Sequence, residues 1–287
     1  MFLPIDHTRI PTNSTERQRS IFPIITGICE RERTVTEGVR AEAFAAKGAR
    51  VAVASRSQDK VDAAVEKLSG YGGEAIGFSA DVRDVEAVKA TLLAVHEAFG
   101  ATDVLVSGAA GNFPAPALGM SANGFKSVVD IDLRGTFHVL HSAHPYLIKP
   151  GASIINISAP QAFVPMELQV HVCAAKAGVD MVTRVLAMEW GPQGIRVNSV
   201  VPGPIEGTEG MRRLSPTPEL RQAVTDSVPL GRWGTSMDIA NTVMFLASPL
   251  AEYITGAVIP VDGGWSLGGV SVIGDSMAKF AAQQQTD

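Results

Sequence analysis

Lys176 and Arg56 are the side chains of this 287-residue chain whose neighbours most narrow their chemistry. Lys176 ends the run Gln169-Val-His-Val-Cys-Ala-Ala-Lys176, and in a helix Gln169, Val172, Cys173 and Lys176 share one face. That face offers an amide, a thiol and an ammonium. Nothing beside Cys173 would activate it as a nucleophile, so it reads as a small buried residue. Arg56 stands between Ser55 and Ser57 at the end of a β-rich run. A planar guanidinium flanked by hydroxyls suits a phosphate, to which it donates paired charge-assisted hydrogen bonds. Asp81-Val82 follows the next such run, and its carboxylate suits either an exocyclic amine or a helix N-terminus. His138, His141 and His144 recur every third residue, but no cysteine or acid completes a ligand pattern and no metal is expected.

Residues so far apart need a scaffold that gathers loops at one edge. Short β-rich runs alternate with helical stretches, the pattern of an α/β, doubly wound parallel sheet of about seven strands in a single domain. Strands are expected at 22–26, 50–55, 75–79, 104–107, 153–158, 196–201 and 257–261. Helices are expected at 37–47, 60–68, 85–99, 123–147, 169–190 and 237–246. In such sheets ligands bind beyond the carboxyl ends of the strands, where strand order reverses. Pro23 is an irregularity in the first strand, because proline removes a ladder hydrogen bond. The expected division is a flexible N-terminal segment 1–20, the folded domain 21–265 and a tail 266–287.

With 46% hydrophobic and 18% charged residues, the chain can bury a substantial core. A formal charge of −5 argues against a nucleic-acid surface, which needs a basic stripe to meet phosphates. The two cysteines, Cys29 and Cys173, do not make a disulfide framework and point to a reducing compartment. The first twenty residues hold no apolar run long enough for a signal or a membrane span, and the closing Gln-Gln-Gln-Thr-Asp is no peroxisomal address. A cytoplasmic protein is expected.

The Lys176 run and the segment Glu189-Trp-Gly-Pro-Gln-Gly-Ile-Arg-Val-Asn-Ser-Val-Val-Pro-Gly203 resemble the active-site helix and following strand of the short-chain dehydrogenases/reductases. The resemblance implies a Rossmann-like fold, a nicotinamide cofactor and a homotetramer. It also exposes departures. The tyrosine usual four residues before the lysine is Val172; thirteen residues before that, the usual serine is Ala159, with Ser158 beside it. The usual asparagine is Asp132, and Lys176 alone is unchanged. Valine and alanine cannot donate a proton to a carbonyl oxygen, so ordinary carbonyl reduction is not expected. The branch of peroxisomal-type 2,4-dienoyl-CoA reductases lacks the same tyrosine. Ala109-Ala-Gly-Asn-Phe113, Val129-Asp-Ile-Asp132, Leu168-Gln-Val-His171 and Gly203-Pro-Ile resemble that branch, and the likeness runs from about Ala41 to Trp265.

That likeness implies hydride transfer from NADPH to the δ carbon of a dienoyl thioester. Lys176 would hold the nicotinamide ribose, and a water held by Asp132 would deliver the proton, with Asp262 a second candidate. Asp262 also opens a Gly-Gly turn, where aspartate commonly serves local hydrogen bonding. The implied cofactor contacts are Gly27, Ser55, Arg56, Ser57, Asp81, Val82, Ala109, Lys176, Pro202, Gly203, Ile205 and Thr208. Arg56, with no acid at the end of its strand, favours NADP over NAD. The implied substrate contacts are Asn112, Phe113, Gln169, and Arg212 and Arg213 on a lid loop after Thr208. His171 should point off the lysine face. After Thr26-Gly27, however, the segment to Gly38 lacks the later glycines of the family fingerprint and is about four residues longer than the usual turn. Two alternatives therefore stay open: an oxidoreductase with another substrate, and a non-catalytic binding or assembly subunit.

Overall fold

The computed structural model describes residues 23–26 and 41–269. Its strands are β1 (Pro23–Thr26), β2 (Val51–Ser55), β3 (Ala75–Ser79), β4 (Val104–Ser107), β5 (Ser153–Ile157), β6 (Arg196–Pro202) and β7 (Val258–Val261). All pairings are parallel, in the order β3-β2-β1-β4-β5-β6-β7, so strand order reverses between β1 and β4. Pro23 is the first residue of β1, a position where a missing N–H costs the ladder little.

The helices are α1 (41–45), α2 (Gln58–Ser69), α3 (Val85–Phe99), α4 (Ala122–Val128), α5 (Gly135–Ala143), α6 (Val170–Trp190), α7 (Glu209–Leu214), α8 (Pro218–Ser227) and α9 (Ser236–Ala247). Their placement on both faces follows from the pleat. Leu105 and Ile154 point to one side, into a core with Val88, Leu92, Leu140, Leu186 and Trp190. Their neighbours Val106 and Ile155 point to the other, against Phe44, Leu68, Ile239, Val243 and Leu246. A strand buried on both faces reads as continuous apolar sequence, as Val104-Leu-Val does. Each such buried leucine or isoleucine contributes about 1.5–3 kcal/mol.

Two expectations fail locally. The helix expected over 123–147 is broken: between α4 and α5 the backbone runs through a π-helical segment, Val129–Arg134, and after Ala143 it tightens into a 3₁₀ turn. The lid loop expected after Thr208 is helical, as α7 and α8. Thr208 starts α7, accepting from Met211 N at 3.4 Å while donating to Ile205 O at 2.9 Å. Gly27 and the whole glycine-poor segment to residue 40 lie outside the described residues.

Candidate active site

At the carboxyl end of the central strands, the π-helical segment turns Asp132 inward, where it is completely buried. Such bulges recur where a helix must aim a functional side chain. The turn is fixed from both sides of the residue: Thr136 Oγ1 donates to Asp132 O at 2.6 Å, and Gly111 N donates to Asp132 Oδ1 at 2.6 Å. The other carboxyl oxygen lies 3.4 Å from Lys176 Nζ, and that ammonium donates to Ile157 O at 3.0 Å. Burial pushes the Asp132 carboxyl above its ordinary range; attraction to Lys176 and the Gly111 N–H oppose this without cancelling it. The structure thus joins Asp132, from the helix after β4, to Lys176, from the helix after β5.

No phenol reaches this pair. Val172 is buried among Val128, Ala175 and Phe113. The three tyrosines of the chain stand elsewhere: Tyr71 is exposed and bonded to Glu42, Tyr146 packs on His96, and Tyr253 is exposed. Ser158, next to Ala159, is buried at the end of β5.

Around the pair, the loop after β4 is tied to the start of α6. Gln169 is buried, and its Nε2 donates to Phe113 O and Leu168 O, while Ala115 N donates to Leu168 O at 3.0 Å. Leu168 takes φ 62°, a left-handed conformation that a leucine adopts only under such outside constraint. His171 lies on a different side of α6 from Lys176, as expected, but it is not surface-directed: it is buried with its ring centroid 4.5 Å from that of Phe113. Burial lowers its pKa. Arg213 Nη1 donates to Asn112 O at 2.8 Å, so α7 fastens onto the same loop. Arg212 is its neighbour on α7.

On the other flank, Arg56 Nη1 lies 4.0 Å from Asp81 Oδ2, and Arg83 grips the same carboxylate through Nε and Nη2. Burial raises the Asp81 pKa, but the bonds and charge of Arg83 outweigh it and the group is held below its ordinary value. Ser55 ends β2 and Ser57 precedes α2. Val82 is buried against Gly135, where a Cβ would meet Val82 Cγ2 at 2.3 Å. Ala109 and Ile205 are buried, and Pro202 ends β6. Gly203 must be glycine for a reason the sequence does not carry: a Cβ there would stand 2.6 Å from Asp262 Cα. Asp262 spends both carboxyl oxygens on its own turn, accepting from Gly264 N at 2.9 Å and Ser266 N at 2.8 Å. Among the described residues no hydrogen bond or ion pair joins it to Asp132 or Lys176. His138 donates from Nδ1 to Val82 O, and among the described residues no histidine, cysteine or acid cluster could hold a metal.

The fold has counterparts in known proteins. Residues 38–266 match the family model described as enoyl-(acyl carrier protein) reductase. The chain belongs to the short-chain dehydrogenases/reductases. It is thus an oxidoreductase of a family that uses nicotinamide cofactors. This short-chain reductase is 48% identical to the peroxisomal 2,4-dienoyl-CoA reductase [(3E)-enoyl-CoA-producing] of Pongo abelii, over 78% of this chain and 77% of that protein. It is 42% identical to the protein of the same name from Arabidopsis thaliana, over 77% of each. Among solved structures, a short-chain dehydrogenase from Bacillus anthracis is 35% identical with a TM-score of 0.75, covering 85% of this chain and 96% of that one. Levodione reductase is 27% identical with a TM-score of 0.79, covering 86% and 98%. No described helix of the reductase is long and apolar enough to cross a membrane.

One buried acid beside the site escaped the reading of the sequence. Asp180 lies one helical turn beyond Lys176 on α6 and is buried. Its spacing from Lys176 was the available signal.

Proposed function

We propose that this chain reduces a conjugated 2,4-dienoyl-CoA with NADPH to a 3-enoyl-CoA. The observation that carries the reading is buried Val172 where a phenol would act, beside the buried Asp132–Lys176 pair. A site without a hydroxyl acid is poorly suited to a ketone, whose oxygen must receive a proton directly. NADPH supplies the hydride, which goes to the δ carbon of the acyl chain. The electron pair then collects on the thioester oxygen, where the positive potential of Lys176 stabilises it. Asp132, kept toward its protonated form by burial, backs a water that protonates the α carbon. The remaining double bond lies between the β and γ carbons, in keeping with the product named for the relatives from Pongo abelii and Arabidopsis thaliana.

The residues fit that cofactor. No acid ends β2, and Arg56 there suits a 2′-phosphate, with Ser55 and Ser57 beside it. Asp81 and Val82 serve the adenine edge; Ala109, Lys176, Pro202, Gly203, Ile205 and Thr208 serve the nicotinamide half. The buried Ser107 hydroxyl, which has no hydrogen-bond partner among the described residues, leaves a polar group for a ligand crossing the end of β4. Asn112, Phe113 and Gln169 border the acyl chain, and Arg212 and Arg213 of α7 serve the anionic coenzyme A. Met181, Val185 and Met188 make an exposed apolar stripe on α6, and Phe137 of α5 is exposed as well, which supports a homotetramer.

The test follows NADPH consumption with a 2,4-dienoyl-CoA beside a 2-enoyl-CoA and a ketone. Turnover of the dienoyl thioester is expected. Turnover of the ketone alone refutes the reading, and absence of NADPH binding removes the catalytic role altogether.

A further inference from the structure

The aromatic ring that borders the acyl chain is braced from behind. Phe113 is half-buried on the loop after β4, and the residues around it are tied to other elements. Gly111 N donates to Asp132 Oδ1, Asn112 O accepts from Arg213 Nη1, Phe113 O accepts from Gln169 Nε2, and Ala115 N donates to Leu168 O. Those bonds fix the backbone at Phe113 but leave its side chain free to change rotamer. Side-chain neighbours remove that freedom. Phe113 packs on Val128, Val172 and Ala175, and a methyl group at Gly124 would stand 3.3 Å from Phe113 Cζ. His171 adds a planar contact, its ring centroid 4.5 Å from that of Phe113 and the two planes inclined by 58°.

That histidine is completely buried, and neither ring nitrogen has a hydrogen-bond partner among the described residues. What it gives the site is a flat surface rather than a donor or an acceptor. His171 lies off the lysine face of α6, so it reaches the reaction through Phe113 and not directly. An aromatic ring whose plane is set in advance stacks well on a flat conjugated chain, which loses no torsional freedom in doing so. A saturated chain has no such plane to offer.

We propose that His171 is a positioning residue that sets the plane of the Phe113 ring and thereby the preference for conjugated over saturated acyl thioesters. The inference rests on reading Phe113 as a wall of the acyl site. It assigns that discrimination to a side chain that touches neither substrate nor cofactor.

The experiment takes His171→Ala, His171→Leu and Phe113→Leu, alone and paired, through urea unfolding and through steady-state reduction of a 2,4-dienoyl-CoA, with a saturated acyl-CoA of equal length as competitive inhibitor. The ratio of the inhibitor's Ki to the KM for the dienoyl thioester measures the preference. In His171→Ala the ratio is expected to fall about fivefold, the worth of an aromatic contact, through a rise in KM. There kcat and the KM for NADPH stay within about twofold of the parent, as they do when only binding is lost. His171→Leu, of similar volume and without nitrogens, loses less of the preference than His171→Ala, and it serves in the pairing if His171→Ala does not fold. In the Phe113→Leu background a change at His171 lowers the ratio no further. An unchanged ratio in His171→Ala, equal losses in His171→Ala and His171→Leu, or effects at the two positions that simply multiply overturn the inference while leaving the reductase reading intact. A loss confined to kcat overturns it as well. If the two positions couple in urea unfolding but no dienoyl thioester is reduced, the substrate reading and the preference fall together and only the ring contact stands.

Discussion

Replacing Lys176 with methionine keeps an extended side chain and removes its charge. Lys176 Nζ lies 3.4 Å from Asp132 Oδ2 and 3.0 Å from Ile157 O, and both side chains are buried. Removing one partner of a buried ion pair costs about 3–5 kcal/mol, because the charge left behind has neither water nor a counter-ion. For a domain of this size that corresponds to a fall in Tm of roughly 6–20 °C. The stranded Asp132 escapes the cost by taking up a proton. Its folded-state pKa, raised already by burial, rises further, so the folded protein binds a proton that the unfolded chain has released. The variant is then at its best below the unfolded value of 3.8 and loses stability as pH rises through the folded value. Its deficit relative to the parent must widen between about pH 5 and about pH 8.5. Urea unfolding followed by the fluorescence of buried Trp190, Trp233 and Trp265 measures it. A deficit below about 1 kcal/mol, or one equal at both pH values, refutes a buried ion pair at this site.

Asp132→Asn retains an oxygen for the Gly111 N–H and should leave NADPH affinity within about twofold while lowering kcat roughly 100-fold; unchanged turnover in stopped-flow assays excludes Asp132 as the proton source. Arg56→Ala should raise the KM for NADPH about 10–100-fold with little change for NADH, the worth of a hydrogen-bonded charge, and an equal effect on both cofactors counts against a 2′-phosphate contact. Gly203→Ala places a methyl group 2.6 Å from Asp262 Cα, a backbone atom that cannot swing aside. It should cost about 1–3 kcal/mol, and calorimetry finding an unchanged Tm contradicts that close approach.

What the sequence disclosed depended on whether the signal was local. Val104-Leu-Val-Ser could be placed to the residue because a strand buried on both faces is apolar throughout and ends in a polar loop, and Ala75–Ser79, a half-buried edge strand, could be placed from a β-rich run between polar ends. Val85–Phe99 was equally plain, with Asp84 accepting from Glu86 N and Ala87 N at its start and Gly100 at φ 87° closing it. The break at Val129–Arg134 was not legible. Its periodicity is that of a continuous helix, and the π turn is fixed by the distant Gly111 N–H and Lys176. α7 was misread because Gly210 and Pro216 suggest a loop, while Thr208 caps the turn between them. Asp262 could be read two ways, and its bonds to Gly264 and Ser266 belong to the turn. For Asp180 the clue was an acid four residues beyond Lys176 on the buried face of the same helix.

The vacant tyrosine position and the buried Asp132 are two sides of one requirement. A phenol that protonates a ketone must touch the oxygen that becomes negative, so it belongs on the lysine face of α6. Val172 occupies that place and packs on Phe113, which makes the face apolar. Reduction of a dienoyl thioester instead leaves charge on an oxygen that needs only a nearby cation, while the proton must arrive at carbon from a different direction. In the proposed reaction Lys176 supplies the first from α6, and Asp132 supplies the second from the π-helical segment that packs against it. Separating the two tasks between helices removes the need for a hydroxyl at position 172.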